Sequence, residues 1–355
     1  MLPEYIHIKS GILAQFNALA PQCKHPLIVV RGAVKERYLR NLLLNGKFVS
    51  YTICDAFTQN PSLQDAQKQL ELWGPEIEYK CDSIIALGGG SPLDFAKTLK
   101  YNSKALANKP FIAVVTTLGS GSEITPFAVV YDHGVKVSLS APNLKPDVVM
   151  VDPRFAASAS SQQRASSGID CLCQGIEAFW SKRATEQSTE YALECIKLCV
   201  ANLKAAVYLR SEDDVEAQKS NERALMALAQ ASAYSGLAIS QSKTTAAHAL
   251  SYFFTSRFGL KHGQAVALIM RDLFALNCSI MPHKEQLLAA LGLKEVSDFA
   301  PWFRGLLREL GLKDSFADLH LSAEDINEAL ATVNSERLAN NPCQLSETEM
   351  RSLLN

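Results

Sequence analysis

Along the first 150 residues, short β-rich runs alternate with runs of helical spacing. Segments 25–30, 48–54, 83–87 and 111–115 read as strands by their Val, Ile and Phe content. Segments 34–44, 65–73 and 92–100 read as helices. Strand and helix in alternation imply a parallel, doubly wound sheet. Beyond residue 155 the texture changes to Ala, Leu, Glu and Gln, with apolar residues at helical spacing over 168–182, 187–207, 217–236, 243–254, 285–291, 300–310 and 323–332. The pattern predicts an α/β domain over 1–155 and an all-helical domain over 156–355, joined at Asp152-Pro153-Arg154.

Composition narrows the class. Apolar residues make up 48% of the 355 positions and charged residues 20%, enough to bury a sizeable core. Thirty-five basic against 36 acidic residues gives a net charge of −1, which requires no polyanion-binding surface, and nucleic acid is not an expected partner. No apolar run is long enough to span a membrane, and MLPEYIHIKSG lacks the pattern of a secretory signal. Nine scattered cysteines, none in a CxxC pair, read as reduced thiols of a cytoplasmic protein.

Two loops carry candidate chemistry. Leu87-Gly88-Gly89-Gly90-Ser91-Pro92 follows a strand and opens a helix. Glycines allow close backbone approach, and free N–H groups at a helix start favour a phosphate. The loop is neither a Walker loop nor GxGxxG. Thr116-Thr117-Leu118-Gly119-Ser120-Gly121-Ser122 follows another strand. Two such loops at strand ends of one sheet form a crevice suited to a nucleotide.

Together with GIDCLCQGIEAFWS and AHALSYFFTSRFGLKHG, these loops resemble the iron-containing alcohol dehydrogenases, over nearly the whole chain. The resemblance implies a dehydroquinate-synthase-like fold, an N-terminal dinucleotide-binding domain, a helical C-terminal domain, NAD(P)H and one divalent metal. It implies hydride transfer between the nicotinamide and a small aldehyde or alcohol, in an enzyme expected to be a homodimer. It places Gly89, Gly90, Ser91 and Asp94 on the pyrophosphate turn, and Thr116, Thr117, Ser120, Thr125 and Lys136 near the cofactor. The family carries an acid after the first strand, where Arg31 stands here. An acid there binds a ribose hydroxyl, whereas arginine suits a 2′-phosphate, which favours NADPH.

Asp170 and Gln174 lie one helical turn apart, and His248 precedes His262 by fourteen residues. The family's metal set is one Asp and three His. Asp170, His248 and His262 match it, and Gln174 replaces a histidine. Two His and one carboxylate suit Fe²⁺ or Zn²⁺, with Gln174 as a weak fourth ligand or as the holder of a metal-bound water. A further family histidine is replaced by Tyr252. Tyr252 and His248 are the candidates for proton delivery. A dehydroquinate-synthase-like lyase and a metal-free binding protein are the rival readings.

Gln174, the stretch Ser242-Lys243-Thr244-Thr245 before His248, and Arg337-Leu-Ala-Asn-Asn-Pro are similar to the branch of the family that reduces phosphonoacetaldehyde. Lys243 then reads as the cation that receives an anionic substrate group, with Thr244 and Thr245 as hydroxyl donors.

Overall fold

The structure, a computed structural model, describes residues 1–133, 135–211 and 214–354. It contains two compact units, Met1–Ser158 and Ala159–Asn355. The break falls just beyond the proline at position 153 that starts a short helix over Pro153–Ala157.

The first unit is built on a parallel sheet. Its strands are β1 (Ile6–Ile8), β2 (Pro26–Val29), β3 (Thr52–Cys54), β4 (Ser83–Gly88), β5 (Phe111–Val115) and β8 (Val148–Val151). Their order in space is β1-β8-β5-β4-β2-β3. Between β5 and β8 the hairpin β6 (Phe127–Asp132) and β7 (Val135–Ser140) stands as a separate antiparallel pair. The central strands are buried on both faces, as a sheet covered by helices requires. Ile28, Ile85, Ile112 and Met150 pack with Phe16, Leu39 and Phe155 on one of them.

Topology decides where a ligand can enter. From β2 the chain runs through α1 (Gly32–Gly46) to β3 at one edge. After β3 comes α2 (Leu63–Trp73), and β4 then lies on the other side of β2. From β4 it runs through α3 (Gly90–Asn102) to β5, in the opposite direction. The direction reverses between β2 and β4, and at such a point the connections part and leave a crevice beyond the strand carboxyl ends. Arg31 stands at the end of β2, and Gly88-Gly89-Gly90 at the end of β4.

The second unit is helical. Its main members are α4 (Ser161–Trp180), α5 (Glu186–Val207), α6 (Val215–Ser242), α7 (Ala246–Arg257), α8 (His262–Cys278), α9 (Lys284–Leu291), α10 (Phe299–Glu309), α11 (Ala323–Ala331) and α12 (Ser335–Ala339). Helix α4 is buried along nearly its whole length from Arg164. Phe274 of α8 stacks on Phe299 of α10 at 3.7 Å, which anchors the later helices. Among the described residues no helix is long and apolar enough to cross a membrane. The nine cysteines are free thiols.

The pattern misses some elements. Helix α8 is apolar around most of its circumference, hence shows no 3.6-residue period. The helix expected over 243–254 starts only at Ala246, because Lys243 has φ 58, outside the helical range, and ends α6. Strands β1 and β8 and the hairpin were not among the expected elements. The first two are short, and the hairpin is largely exposed on β7.

Helix α8 approaches α4 through Gly263, where an added Cβ would lie 1.9 Å from the Ser166 carbonyl oxygen and 2.8 Å from the Asp170 Cβ. Backbone cannot yield as a side-chain tip can. Gly263→Ala should destabilise the helical unit by about 1–3 kcal/mol. Gly305, in α10, has no atom within 4 Å of such a Cβ. Gly305→Ala should instead stabilise by about 0.4–1 kcal/mol. Denaturant midpoints of both variants check this, and equal shifts of one sign would contradict the packing described.

Candidate functional site

In the first unit, the two glycine-rich loops touch each other. A Cβ on Gly89 would lie 2.2 Å from Thr117 Oγ1, so only glycine permits this approach. A Cβ on Gly90 would meet nothing within 4 Å, which leaves the first turn of α3 open to a ligand. Helix α3 also holds the second loop from below. Lys97, fully buried, donates to the carbonyl oxygens of Ser122 (2.5 Å), Thr125 (2.8 Å) and Phe127 (2.7 Å). Burial pulls its pKa down to about 8, against Asp94 and Glu123. Asp94 accepts from Ser122 Oγ at 2.9 Å, and burial pushes it up to about 6.

These contacts redistribute the expected cofactor residues. Gly89, Gly90 and Thr117 line the meeting point of the loops. The Thr116 hydroxyl there is buried without a hydrogen-bond partner. Ser91 donates its hydroxyl to the Gln59 carbonyl, while Asp94 and the Thr125 carbonyl brace the second loop. Ser120 accepts from the Ser122 amide at 3.4 Å within that loop. Lys136 lies on β7, and its charge acts on Asp94. Arg31 caps α1 with extended backbone and lies 5.7 Å from the Phe57 ring.

In the second unit, Asp170, His248 and His262 converge from α4, α7 and α8, with donor atoms all within 4.8 Å of one another. Asp170 Oδ1 lies 3.3 Å from His248 Nε2 and 3.9 Å from His262 Nε2. The Asp170 and His248 atoms are buried, and neither makes a well-formed hydrogen bond. Donors about 2.1 Å from a tetrahedral ion stand about 3.4 Å apart, so this spacing fits a divalent cation.

The support for these donors comes from one helix face. Asp170, Gln174 and Glu177 occupy successive turns of α4, all buried. Glu177 Oε2 holds His248 Nδ1. Glu177 Oε1 accepts from Thr245 Oγ1 (2.7 Å) and from the amides of Thr245 (3.2 Å), Ala247 (2.9 Å) and His248 (3.4 Å). One carboxylate thus caps the start of α7 and fixes the imidazole with Nε2 toward Asp170. Burial works against ionisation of Glu177, but His248 and Thr245 outweigh it and hold its pKa low. Burial also disfavours the charged form of His248. The facing carboxylates of Glu177 and Asp170 reverse this and raise it to about 9. The pocket stabilises positive charge, carried by a proton or by a cation that displaces it.

Gln174 turns its amide nitrogen to Asp170 Oδ2, at 3.1 Å, and its oxygen accepts from Ser235 Oγ. The reverse orientation would set an amide oxygen against a carboxylate. Gln174 is therefore hydrogen-bonded both to Asp170, one of the three clustered donors, and to Ser235. His248 gives Nδ1 to Glu177 and turns Nε2 toward Asp170. Glu177 is the residue that sequence reasoning missed. Its signal was an acid seven residues after Asp170 on the same buried helix face.

The rim of this cluster is tied to neighbouring segments. Lys243 Nζ pairs with Glu336 at 2.8 Å, and Arg183 shares the same oxygen at 2.9 Å. Tyr252 stacks on His262 with centroids 5.9 Å apart. Arg337 lies over the other partner of that ring contact, 5.2 Å from the Tyr252 centroid, and donates to Thr244 Oγ1 at 2.9 Å. Thr245 serves Glu177 and the Trp180 indole.

The chain is matched by two family models: iron-containing alcohol dehydrogenase over residues 3–153, and the C-terminal region of the same family over residues 164–355. It is 31% identical over 224 residues to phosphonoacetaldehyde reductase of Streptomyces viridochromogenes, covering 57% of this chain and 54% of that protein. It is 30% identical over 317 residues to the bifunctional aldehyde-alcohol dehydrogenase of Escherichia coli, covering 80% of this chain and 34% of that one. The chain thus spans about half of the first relative and a third of the second. Sulfoacetaldehyde reductase from Bifidobacterium kashiwanohense, solved in complex with NAD+, superposes with a TM-score of 0.86 at 26% identity, over 100% of this chain and 96% of that one. With nearly its whole length accounted for by the two family models, the chain belongs to the iron-containing alcohol dehydrogenase family.

Proposed function

We propose that the protein is a metal-dependent, NAD(P)H-linked oxidoreductase that interconverts a small aldehyde and a primary alcohol. The observation that carries this reading is the buried Asp170–His248–His262 cluster with His248 locked by Glu177. The fold is dehydroquinate-synthase-like, and the family uses NAD(P) and a divalent metal. Asp170, His248 and His262 would hold that ion. When bound it supplies Lewis acidity toward a carbonyl oxygen.

The remaining roles belong to the chain's own groups. The first turn of α3 offers free amides and open space at Gly90 to the pyrophosphate. Lys97 and Asp94 keep the second loop against it. Tyr252, beside His262, and His248 are the candidates for passing a proton to the product alcohol. As substrate we assign an aldehyde that carries a tetrahedral oxyanion, phosphonoacetaldehyde being reduced to 2-hydroxyethylphosphonate. Support comes from two relatives whose activities are named for phosphonoacetaldehyde and sulfoacetaldehyde, both two-carbon aldehydes with such a group.

Protein loaded with Fe²⁺ or Zn²⁺ should oxidise one NAD(P)H per phosphonoacetaldehyde, and chelation should abolish turnover. Activity unchanged by chelation, or cofactor recycled without net oxidation, would overturn the reading. Arg31 should favour NADPH, by about 1.5–3 kcal/mol for an ion pair with the 2′-phosphate. The ratio of kcat/KM for NADPH to that for NADH should accordingly fall about ten- to a hundredfold in Arg31→Asp. A wild-type preference for NADH would show that Arg31 only packs on Phe57.

A further inference from the structure

The segment Arg337-Leu-Ala-Asn-Asn-Pro is fixed against the turn that joins α6 to α7. Asn340 Nδ2 donates to the carbonyls of Ser242 (2.9 Å) and Thr244 (3.1 Å), and Ser181 Oγ bonds both Ser242 O and Asn340 Oδ1. Asn341 exchanges two hydrogen bonds with Asn277 of α8, at 2.7 and 3.0 Å. Both asparagines are buried, so the segment's position is set by satisfied polar groups in the core of the unit.

This clamp divides two neighbouring cations. Lys243 is directed to Glu336, which Arg183 also engages, and the two cations hold the Glu336 pKa down to about 2. The Lys243 charge is thereby balanced at the exposed side of the turn. Arg337, the next residue, engages Thr244 and Tyr252. Among the described residues it has no carboxylate partner. Its guanidinium spends one N–H on Thr244 Oγ1 and lies on the Tyr252 ring, which in turn stacks on His262. A planar fork with donors to spare suits a tetrahedral oxyanion better than a lysine already paired. The Thr244 hydroxyl, buried and accepting from Arg337, keeps its own proton to donate.

We infer that Arg337 and the Thr244 hydroxyl form the subsite that receives the oxyanion of the substrate, and that Lys243 is a structural partner of Glu336 outside that subsite. The inference rests on the proposed reduction of an aldehyde bearing an oxyanion, and it replaces Lys243 as the anchor that the sequence suggested.

Methylphosphonate carries the oxyanion without the aldehyde and separates the two claims. Calorimetric titration of metal-loaded, NADPH-bound protein should show saturable binding that weakens at least tenfold in Arg337→Gln and changes less than twofold in Lys243→Met. Glutamine retains a donor for Thr244, and thermal unfolding monitors the fold of both variants. In parallel, Arg337→Gln should lower kcat/KM for phosphonoacetaldehyde ten- to a hundredfold relative to propanal. No binding to the wild type, equal binding by Arg337→Gln, or a larger loss in Lys243→Met overturns the subsite. Binding that depends on Arg337 in an enzyme that prefers propanal supports the subsite and overturns the proposed substrate instead.

Discussion

The helical unit depends on the placement of one carboxylate, that of Glu177. It is buried completely, and a buried charge persists only when partners offset its lost hydration. Four donors at the start of α7 and the His248 ring provide that compensation. Because α7 begins there, the preceding turn at Lys243–Thr245 is fixed, and with it the face on which the 337–341 segment docks. Asp170, two turns earlier on the same helix, then receives His248 Nε2 and His262 as neighbours. Gly263 lets α8 come close enough for this to happen. Burial, capping and donor geometry are consequences of a single stripe on α4.

In the first unit a buried lysine has the corresponding part. Lys97 joins α3 to three carbonyls of the second loop, so the two loops hold one shape. Among the residues expected to meet a cofactor, Ser91, Asp94 and the Thr125 carbonyl also make contacts within the protein. At the α3 start, open space lies beside Gly90. An amide surface set by inward-facing side chains suits a phosphate, whose oxygens accept from any well-placed N–H.

Much of this was legible in the sequence, for reasons that differ by residue. Alternating β-rich and helical runs announced the parallel sheet, because strands buried on both faces are nearly continuous in Val and Ile. The spacing of Asp170, His248 and His262 announced the donor cluster through its resemblance to a known family. Helix α8 was hidden by being buried nearly all round. The role of Gln174 was hidden because side-chain orientation depends on Ser235, sixty-one residues away. The pairing of Lys243 with Glu336 was hidden because Glu336 comes from a distant segment, while Arg337 was visible only as part of a motif. Local pattern shows periodicity, and charge pairing across the chain requires the fold.

The role of Glu177 is to organise the Asp170–His248–His262 cluster through His248. Its most direct measurement is divalent-metal affinity, by competition titration against a chelator, in the wild type and in Glu177→Gln. A glutamine offers one oxygen, which cannot serve both the α7 amides and His248 Nδ1. Affinity should fall about ten- to a hundredfold, the usual loss when a partner behind a ligating histidine is removed. An unchanged affinity, with the variant folded, would contradict the account.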